Sequence, residues 1–379
     1  MVILDREIEK FILDYLIPNK VIVITGARRV GKTYLIKSIL QKVTEPYILL
    51  NGENITTLEQ LERRSVENYK TLLHGCKLLV IDEAQKIPEI GLKLKLMIDE
   101  IEGLKIIVTG SSAFDIYNVL GEPLTGRKYS FSLYPFSEKE YSQKENLFQI
   151  QETMRQRIVF GNYPELLQME TSDRKINYLK ELISSYLLKD ILALETIKNS
   201  SVLLSLLRLL AFQIGNEVSI NEIGTQLSVS KNTVAKYIDL LEKVFIIFHL
   251  DAFSRNKRKE ISKSKKYYFW DNGIRNAVIS NFNSIELRDD IGRLWENYII
   301  SERLKHKEYS GIFSSHYFWR TYDRQEIDYI EEENEKITAY EIKWKDQNLK
   351  IPSFWKTSYP NSNFHQITSS NYLSFLGLP

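Results

Sequence analysis

Residues 20–33 read KVIVITGARRVGKT, an apolar, β-branched run that stops at Gly26-Ala27-Arg28-Arg29-Val30-Gly31-Lys32-Thr33. Such a run predicts a buried strand, then a glycine-punctuated loop, then a helix over Tyr34 to Gln41. Two glycines let the chain turn so that successive N–H groups face inward as an anion cradle. The helix that follows adds the positive end of its dipole. Lys32 suits β- and γ-phosphates as a point charge, and the Thr33 hydroxyl suits Mg²⁺. A Gly-rich turn with an accidental lysine would not need the strand before it and the helix after it. The spacing G-x-x-x-x-G-K-T therefore points to a nucleoside triphosphate.

A second apolar strand, KLLVIDEAQ over Lys77 to Gln85, carries Asp82 and Glu83 at its tip. One carboxylate there can hold the Mg²⁺ shell while the next polarises a water for in-line attack on the γ-phosphate. Between the two motifs lies a further strand, Tyr47 to Leu50, closed by Asn51. With the second acid, it points to the hydrolysing class of P-loop proteins. A fourth strand, Lys105 to Val108, ends in Thr109-Gly110-Ser111-Ser112. These hydroxyls suit a γ-phosphate sensor or an ordinary Gly-Ser turn. Arg127, in Leu124-Thr125-Gly126-Arg127, precedes a strand over Lys128 to Leu133. Its guanidinium suits the charge of a transferring phosphoryl group, from the same chain or from a neighbour.

GARRVGKT, LLVIDEAQ, VTGSS and LTGR, followed by LYPFSEKEY, resemble the AAA+ ATPases, and most of all a prokaryotic group with a C-terminal region of unknown function. The resemblance implies ATP and Mg²⁺, with Gly26 to Tyr34 around the phosphates. It implies Thr33 and Asp82 on the metal and Glu83 as catalytic base. Asn51 matches the residue that restrains this base, Thr109 or Ser111 the first sensor, and Arg127 the finger. Gly161-Asn162-Tyr163-Pro164 resembles the turn that packs on adenine, with Pro164 against the base. No second-sensor arginine is found.

With 379 residues, two to four domains are expected. A net charge of +2 excludes a uniformly basic nucleic-acid binder but not a local patch. Cys76 stands alone and the five histidines are scattered, which excludes an internal disulfide and a cysteine-rich metal site. The N-terminus carries acids where a signal peptide is basic, and no run of eighteen apolar residues occurs. A cytoplasmic protein without membrane contact is expected.

Helical periodicity from Ser137 to about Ser200 fits a lid after the core. Next, VLLSLLRLLAFQIG, a short helix from about Asn221 and a longer one over Lys231 to Val244 form a helix-turn-helix pattern. Two apolar runs, Phe245 to Leu250 and Lys266 to Trp270, read as a wing. Ser230, Lys231, Asn232, Thr233 and Lys236 face outward. Arg255, Lys257, Arg258, Lys259, Lys263, Lys265 and Lys266 crowd the wing, a pattern suited to duplex DNA phosphates. A solvated hairpin or a protein-contact module would carry the same charges.

In the last third, Glu296 on a helix, Asp328 on a strand, and Glu341 with Lys343 on the next strand follow the order of the PD-(D/E)XK nuclease fold, which they resemble. Glu341 and Lys343 share a face because the strand period is two. Glu296, Asp328 and Glu341 would then hold one divalent metal, and Lys343 would act on its water or on the scissile phosphate. The turn Arg324-Gln325-Glu326 departs from the Pro-Asp of the motif name.

The expected architecture is α/β: an AAA+ P-loop core over 1–136, a helical lid over 137–200, a winged helix over 201–275 and a restriction-endonuclease-like domain over 285–379. The expected activity is Mg²⁺-dependent ATP hydrolysis coupled to DNA binding, in a chain that can form a homo-oligomer. The rivals are an ATP-gated, metal-dependent DNA nuclease and an ATP-switched protein-interaction module.

Overall fold

The computed structural model describes residues 4–111, 123–187, 200–254 and 265–378. Two compact units emerge, one spanning Asp5–Tyr134 with Lys243–Phe245, the other holding the remaining described chain.

The first unit is a five-stranded parallel sheet: β1 (Lys20–Thr25), β2 (Tyr47–Asn51), β3 (Leu78–Asp82), β4 (Lys105–Gly110) and β5 (Lys128–Ser132), in the order β2-β3-β4-β1-β5. β1, β3 and β4 are buried almost throughout, as strands covered on both faces must be. The helices are α1 (Ile8–Asp14), α2 (Lys32–Lys42), α3 (Ile55–Glu62), α4 (Val66–Leu73) and α5 (Ile90–Glu100). One core joins Val21 and Val23 of β1, Leu79 and Ile81 of β3, Ile106 and Val108 of β4, and Leu94 and Met97 of α5. The strand beside β1 and β3 in space is β4. β2, inserted in sequence, forms the sheet edge, with Tyr47 and Leu49 exposed. A parallel sheet with crossover helices separates sequence order from spatial order in this way.

The second unit is built on a mixed seven-stranded sheet, β12-β11-β10-β9-β7-β8-β6. Its strands are β6 (Glu217–Val218), β7 (Ile247–Ala252), β8 (Lys265–Phe269), β9 (Ser315–Arg320), β10 (Glu326–Glu333), β11 (Lys336–Ile342) and β12 (Asn363–Ile367). Its main helices are α6 (Leu147–Phe160), α7 (Ser172–Glu181), α8 (Ser200–Phe212), α9 (Ile220–Gln226), α10 (Lys231–Lys243), α11 (Asn272–Val278) and α12 (Ile291–Tyr309). The strands read from sequence as a wing, β7 and β8, are continuous with the last third of the chain. β7 pairs in parallel with β9 through Asp251↔Tyr317 and Ala252↔Phe318. Residues 188–199, within the expected lid, lie outside the described residues.

Two local details differ from the sequence reading. Helix α9 starts at Ile220, one residue before the expected Asn221, and is capped by Ser219, whose hydroxyl accepts from the Glu222 N–H at 3.3 Å. Lys266, grouped with the basic wing, is 1% exposed. Arg255, Lys257, Arg258, Lys259 and Lys263 lie outside the described residues.

The PFSEKEY part of the LYPFSEKEY segment, residues 135–141, is held by a buried polar network in the second unit. Ser137 and Glu140 form a capping box. The Glu138 carboxylate accepts two bonds from Arg157 at 3.0 Å and one from the Tyr298 hydroxyl. Glu302 of α12 accepts from the Glu138 N–H at 2.7 Å and pairs with Lys305 at 2.7 Å. Burial pushes the Glu138 carboxyl above its ordinary range, against the pull of Arg157. Buried charges persist only when paired in this manner.

Candidate functional site

The carboxyl ends of β1, β3 and β4 meet at one edge of the first sheet, where ligands bind in open α/β folds. The loop after β1 turns there because both glycines are required. A Cβ on Gly26 would lie 2.2 Å from the Leu133 carbonyl oxygen, and Gly31 has φ 98°. Arg29 is also left-handed, at φ 65°. Ala27 and Val30 are fully buried and anchor the loop on the core. Lys32 is buried, and its ammonium donates to the carbonyls of Gly26 at 2.8 Å and Ala27 at 2.9 Å. The amine is thereby held inside the curl of the loop. Arg28 lies within the loop, and Tyr34 is partly exposed on α2, its phenol pushed up by burial and by Asp5 and Glu9.

The two motifs meet directly. The Thr33 hydroxyl donates to Asp82 Oδ2 at 2.8 Å. The fully buried Thr109 donates to Asp82 Oδ1 and accepts from the Glu83 N–H at 3.2 Å. Thr109 thus fixes both acids at once. Glu83 sits at φ 51°, a left-handed conformation that costs a non-glycine residue roughly 1–2 kcal/mol. Its neighbours leave little freedom. Gly52 N–H donates to the Asp82 carbonyl at 2.8 Å, and a Cβ there would lie 2.3 Å from the Glu83 carbonyl oxygen. Strain of this kind concentrates where a side chain must be aimed. A hydroxyl and a carboxylate in contact are hard oxygen donors suited to Mg²⁺, which takes one or two carboxylates together with substrate phosphates.

Two residues without an assigned sequence role belong here. Gln85 donates to Glu83 Oε2 at 2.6 Å and to Ser111 Oγ at 3.2 Å, so it holds the acid that was expected to be restrained by Asn51. The Asn51 amide oxygen instead accepts from Glu53 N–H at 2.8 Å, closing a local turn. Arg6 is buried and donates to the Val30 carbonyl at 2.7 Å and the Tyr134 carbonyl at 2.6 Å, bracing the loop from the N-terminal side. Gln85 stood visible in KLLVIDEAQ. Arg6 gave no signal, because its partners are 24 and 128 residues away.

Arg127 is not at this edge. It precedes β5, its carbonyl accepts from Val21 N–H at 2.9 Å, and Val21 pairs with Lys128. Gly26 is five residues further along, about 17 Å at roughly 3.3 Å per residue. A finger acting on its own loop is therefore excluded. The guanidinium is instead partly exposed and paired with Asp99 at 2.6 Å.

Residues 18–142 match the family model described as an AAA domain. These residues form an AAA-type P-loop ATPase domain. Beyond this AAA domain, residues 151–285 and 291–365 match two domains of unknown function, DUF8612 and DUF4143. An uncharacterised protein of Methanocaldococcus jannaschii is 26% identical, over 97% of this chain and 87% of its own length. One from Haemophilus influenzae is 24% identical, over 84% of this chain and 81% of its own. A Walker-type ATPase of Pyrococcus abyssi is 19% identical, with a TM-score of 0.49, over 73% of this chain and 96% of that one. No described helix is long and apolar enough to cross a membrane.

In the second unit, Pro164 opens a short 3-10 turn. The preceding Gly161, at φ 77°, is required by close approach: a Cβ would lie 2.0 Å from Asp271 Oδ1. Asp271 also accepts from Asn162 N–H at 2.7 Å, so the turn is built on α11.

The sheet and α12 bring Glu296, Asp328, Glu341 and Lys343 into one cluster, joined by Glu326 and Lys266. Lys343 pairs with Glu341 at 2.7 Å and with Asp328 at 3.2 Å. Asp328 also accepts from Ile342 N–H at 2.8 Å. Lys266 pairs with Glu326 and lies 3.9 Å from Glu296, which accepts from the Tyr268 hydroxyl at 2.7 Å. Burial pushes the Glu296 carboxyl up to about 7, with Asp328 adding repulsion and Lys266 opposing it. Burial and Asp328 likewise raise Glu341. Burial alone would lower Lys343, but Asp328 and Glu341 hold its amine well above the ordinary range. Among the described residues, no group of three or more His, Cys, Asp or Glu is disposed to hold a metal ion. The expected set of Glu296, Asp328 and Glu341 is thus not a ready metal centre, because lysine amines stand among the carboxylates.

Proposed function

We propose that the chain binds ATP at Gly26 to Thr33, hydrolyses it with Mg²⁺, and uses the cycle to switch a DNA-facing C-terminal half. The observation that carries the hydrolytic reading is the chain of bonds Thr33–Asp82–Thr109–Glu83. Lys32 leaves the loop carbonyls for the β- and γ-phosphates, and the loop N–H groups turn inward beside it. Thr33 and Asp82 hold Mg²⁺, which when bound neutralises charge developing on the phosphates. Glu83, aimed by Gln85 and by its backbone, takes a proton from the attacking water. Lys32→Ala removes a charge-assisted contact of about 1.5–3 kcal/mol and is expected to weaken ATP binding about tenfold to a hundredfold. Equilibrium titration with labelled ATP tests this, and unchanged affinity would remove Lys32 from the site.

The DNA part of the reading is favoured by α8, α9 and α10, followed by the β7–β8 hairpin, and by the exposed positions Ser230, just before α10, and Lys231, Asn232 and Lys236 on it. These are side chains suited to phosphates and base edges at the start of a recognition helix. Replacing Arg255, Lys257, Arg258 and Lys259 by Ala is expected to lower duplex affinity. The slope of log affinity against log salt should shrink by about 0.9 per lost contact. A parent chain that retards no duplex at low salt would favour the protein-interaction reading. Metal-dependent cutting of the duplex would favour the nuclease.

A further inference from the structure

The cluster in the second unit holds one lysine more than the nuclease constellation carries: Lys266 stands among the carboxylates in addition to Lys343. We infer that the ammonium of Lys266, together with that of Lys343, takes the place of a divalent ion among Glu296, Glu326, Asp328 and Glu341, so that the parent chain takes neither Mg²⁺ nor Mn²⁺ there. An ammonium is a compact point charge with three donors, and it can satisfy two or three carboxylates at once.

The geometry is that of an internal counter-ion. Lys266 is fixed by its strand, where it pairs with Leu250 on one side and Glu217 on the other. From that position its side chain, 1% exposed, lies between Glu296 of α12 and Glu326 of β10. Lys343 plays the same part on the more open side, between Glu341 and Asp328. Glu296 is enclosed further. Tyr268 donates to one of its oxygens, and a Cβ on Gly215 would stand 3.3 Å from both. The residues that close the cluster, Gly215, Lys266 and Tyr268, all come from the chain that precedes α12. That segment thus supplies the charge which the carboxylates would otherwise draw from a metal. A second cation of charge +2 would have to sit beside a buried ammonium in a poorly solvated site, where like charges repel strongly. This inference stands independently of the ATPase reading.

Mn²⁺ binding to the full-length chain, counted by electron paramagnetic resonance without nucleotide, tests it. Every arm carries Asp82→Asn, which removes the carboxylate proposed to hold metal at the P-loop. The expected result is no stoichiometric ion that Glu341→Gln removes. Lys266→Met should add one Mn²⁺ per chain, and Glu341→Gln should abolish that gain. If Lys266→Met does not fold, Lys343→Met is read in the same way. A stoichiometric Mn²⁺ in the background protein that Glu341→Gln removes would overturn the inference. So would a folded lysine variant that gains no ion.

Discussion

Replacing Glu83 by Gln is expected to slow ATP turnover by about 10²–10⁴-fold while leaving ATP binding intact, because a positioned general base contributes on that order. The substitution keeps the shape of the side chain and its place beside Gln85 but removes the basic oxygen. Thr33 and Asp82, proposed to hold the metal, are untouched, since their bond does not pass through the Glu83 carboxylate. The result should therefore be a loss of kcat with little change in affinity, the pattern of an interaction made only in the transition state. Steady-state hydrolysis set beside equilibrium ATP binding separates the two. Turnover at the parent rate in the Gln variant would take the role of base away from Glu83.

Arg127→Ala is expected to have an equal or larger effect on kcat, about 10³–10⁵-fold, if the residue serves as a finger from one chain to the site of another. The argument is geometric. Arg127 lies at the amino edge of the sheet, beside Val21, while the phosphate loop leaves the carboxyl edge. A surface arginine at one edge and a nucleotide site at the other is the arrangement a head-to-tail assembly needs. The pair with Asp99 would hold the guanidinium ready in the free chain. Exposed pairs of this kind contribute little to stability, so the variant should fold normally. Specific activity of the parent should rise with protein concentration, and Arg127→Ala should abolish that rise. A concentration-independent rate, unchanged by the substitution, would make Arg127 a structural partner of Asp99 alone.

Much of the ATPase domain was legible because its signals are local. β1 and α2 follow from an apolar run, two glycines and a helix start within fourteen residues, and Asp82 and Glu83 stand at the tip of their strand. Thr109 was found for the same reason, at the end of β4. What failed was spatial. β2 lies between the two motifs in sequence, but in space β4 stands between their strands, since strand order in a parallel sheet is set by crossovers and not by sequence order. Asn51 was assigned to Glu83, but a turn amide finds a backbone N–H two residues away more readily than a distant side chain. Gln85, two residues beyond Glu83, does that work.

The second unit shows the opposite balance. Strands β10 and β11 follow from a period of two, and Lys343, one residue past the end of β11, still pairs with Glu341. Lys266 was misread because a charge in a basic run looks solvated, and only the pairing of β7 with β9 puts β8 in one sheet with β10. Its partners Glu296 and Glu326 lie 30 and 60 residues downstream. No periodicity reports a contact of that kind.

The central claim, a phosphate loop and acid pair assembled for hydrolysis, is tested most directly by ATP turnover of the full-length chain. Phosphate release should be measured with Mg²⁺ and with chelator, for the parent and for Lys32→Ala. The expected result is release by the parent that requires Mg²⁺ and is lost in the variant. Parent and variant releasing phosphate at the same rate, or a parent that binds Mg²⁺-ATP and never hydrolyses it under any assembly condition, would contradict the account.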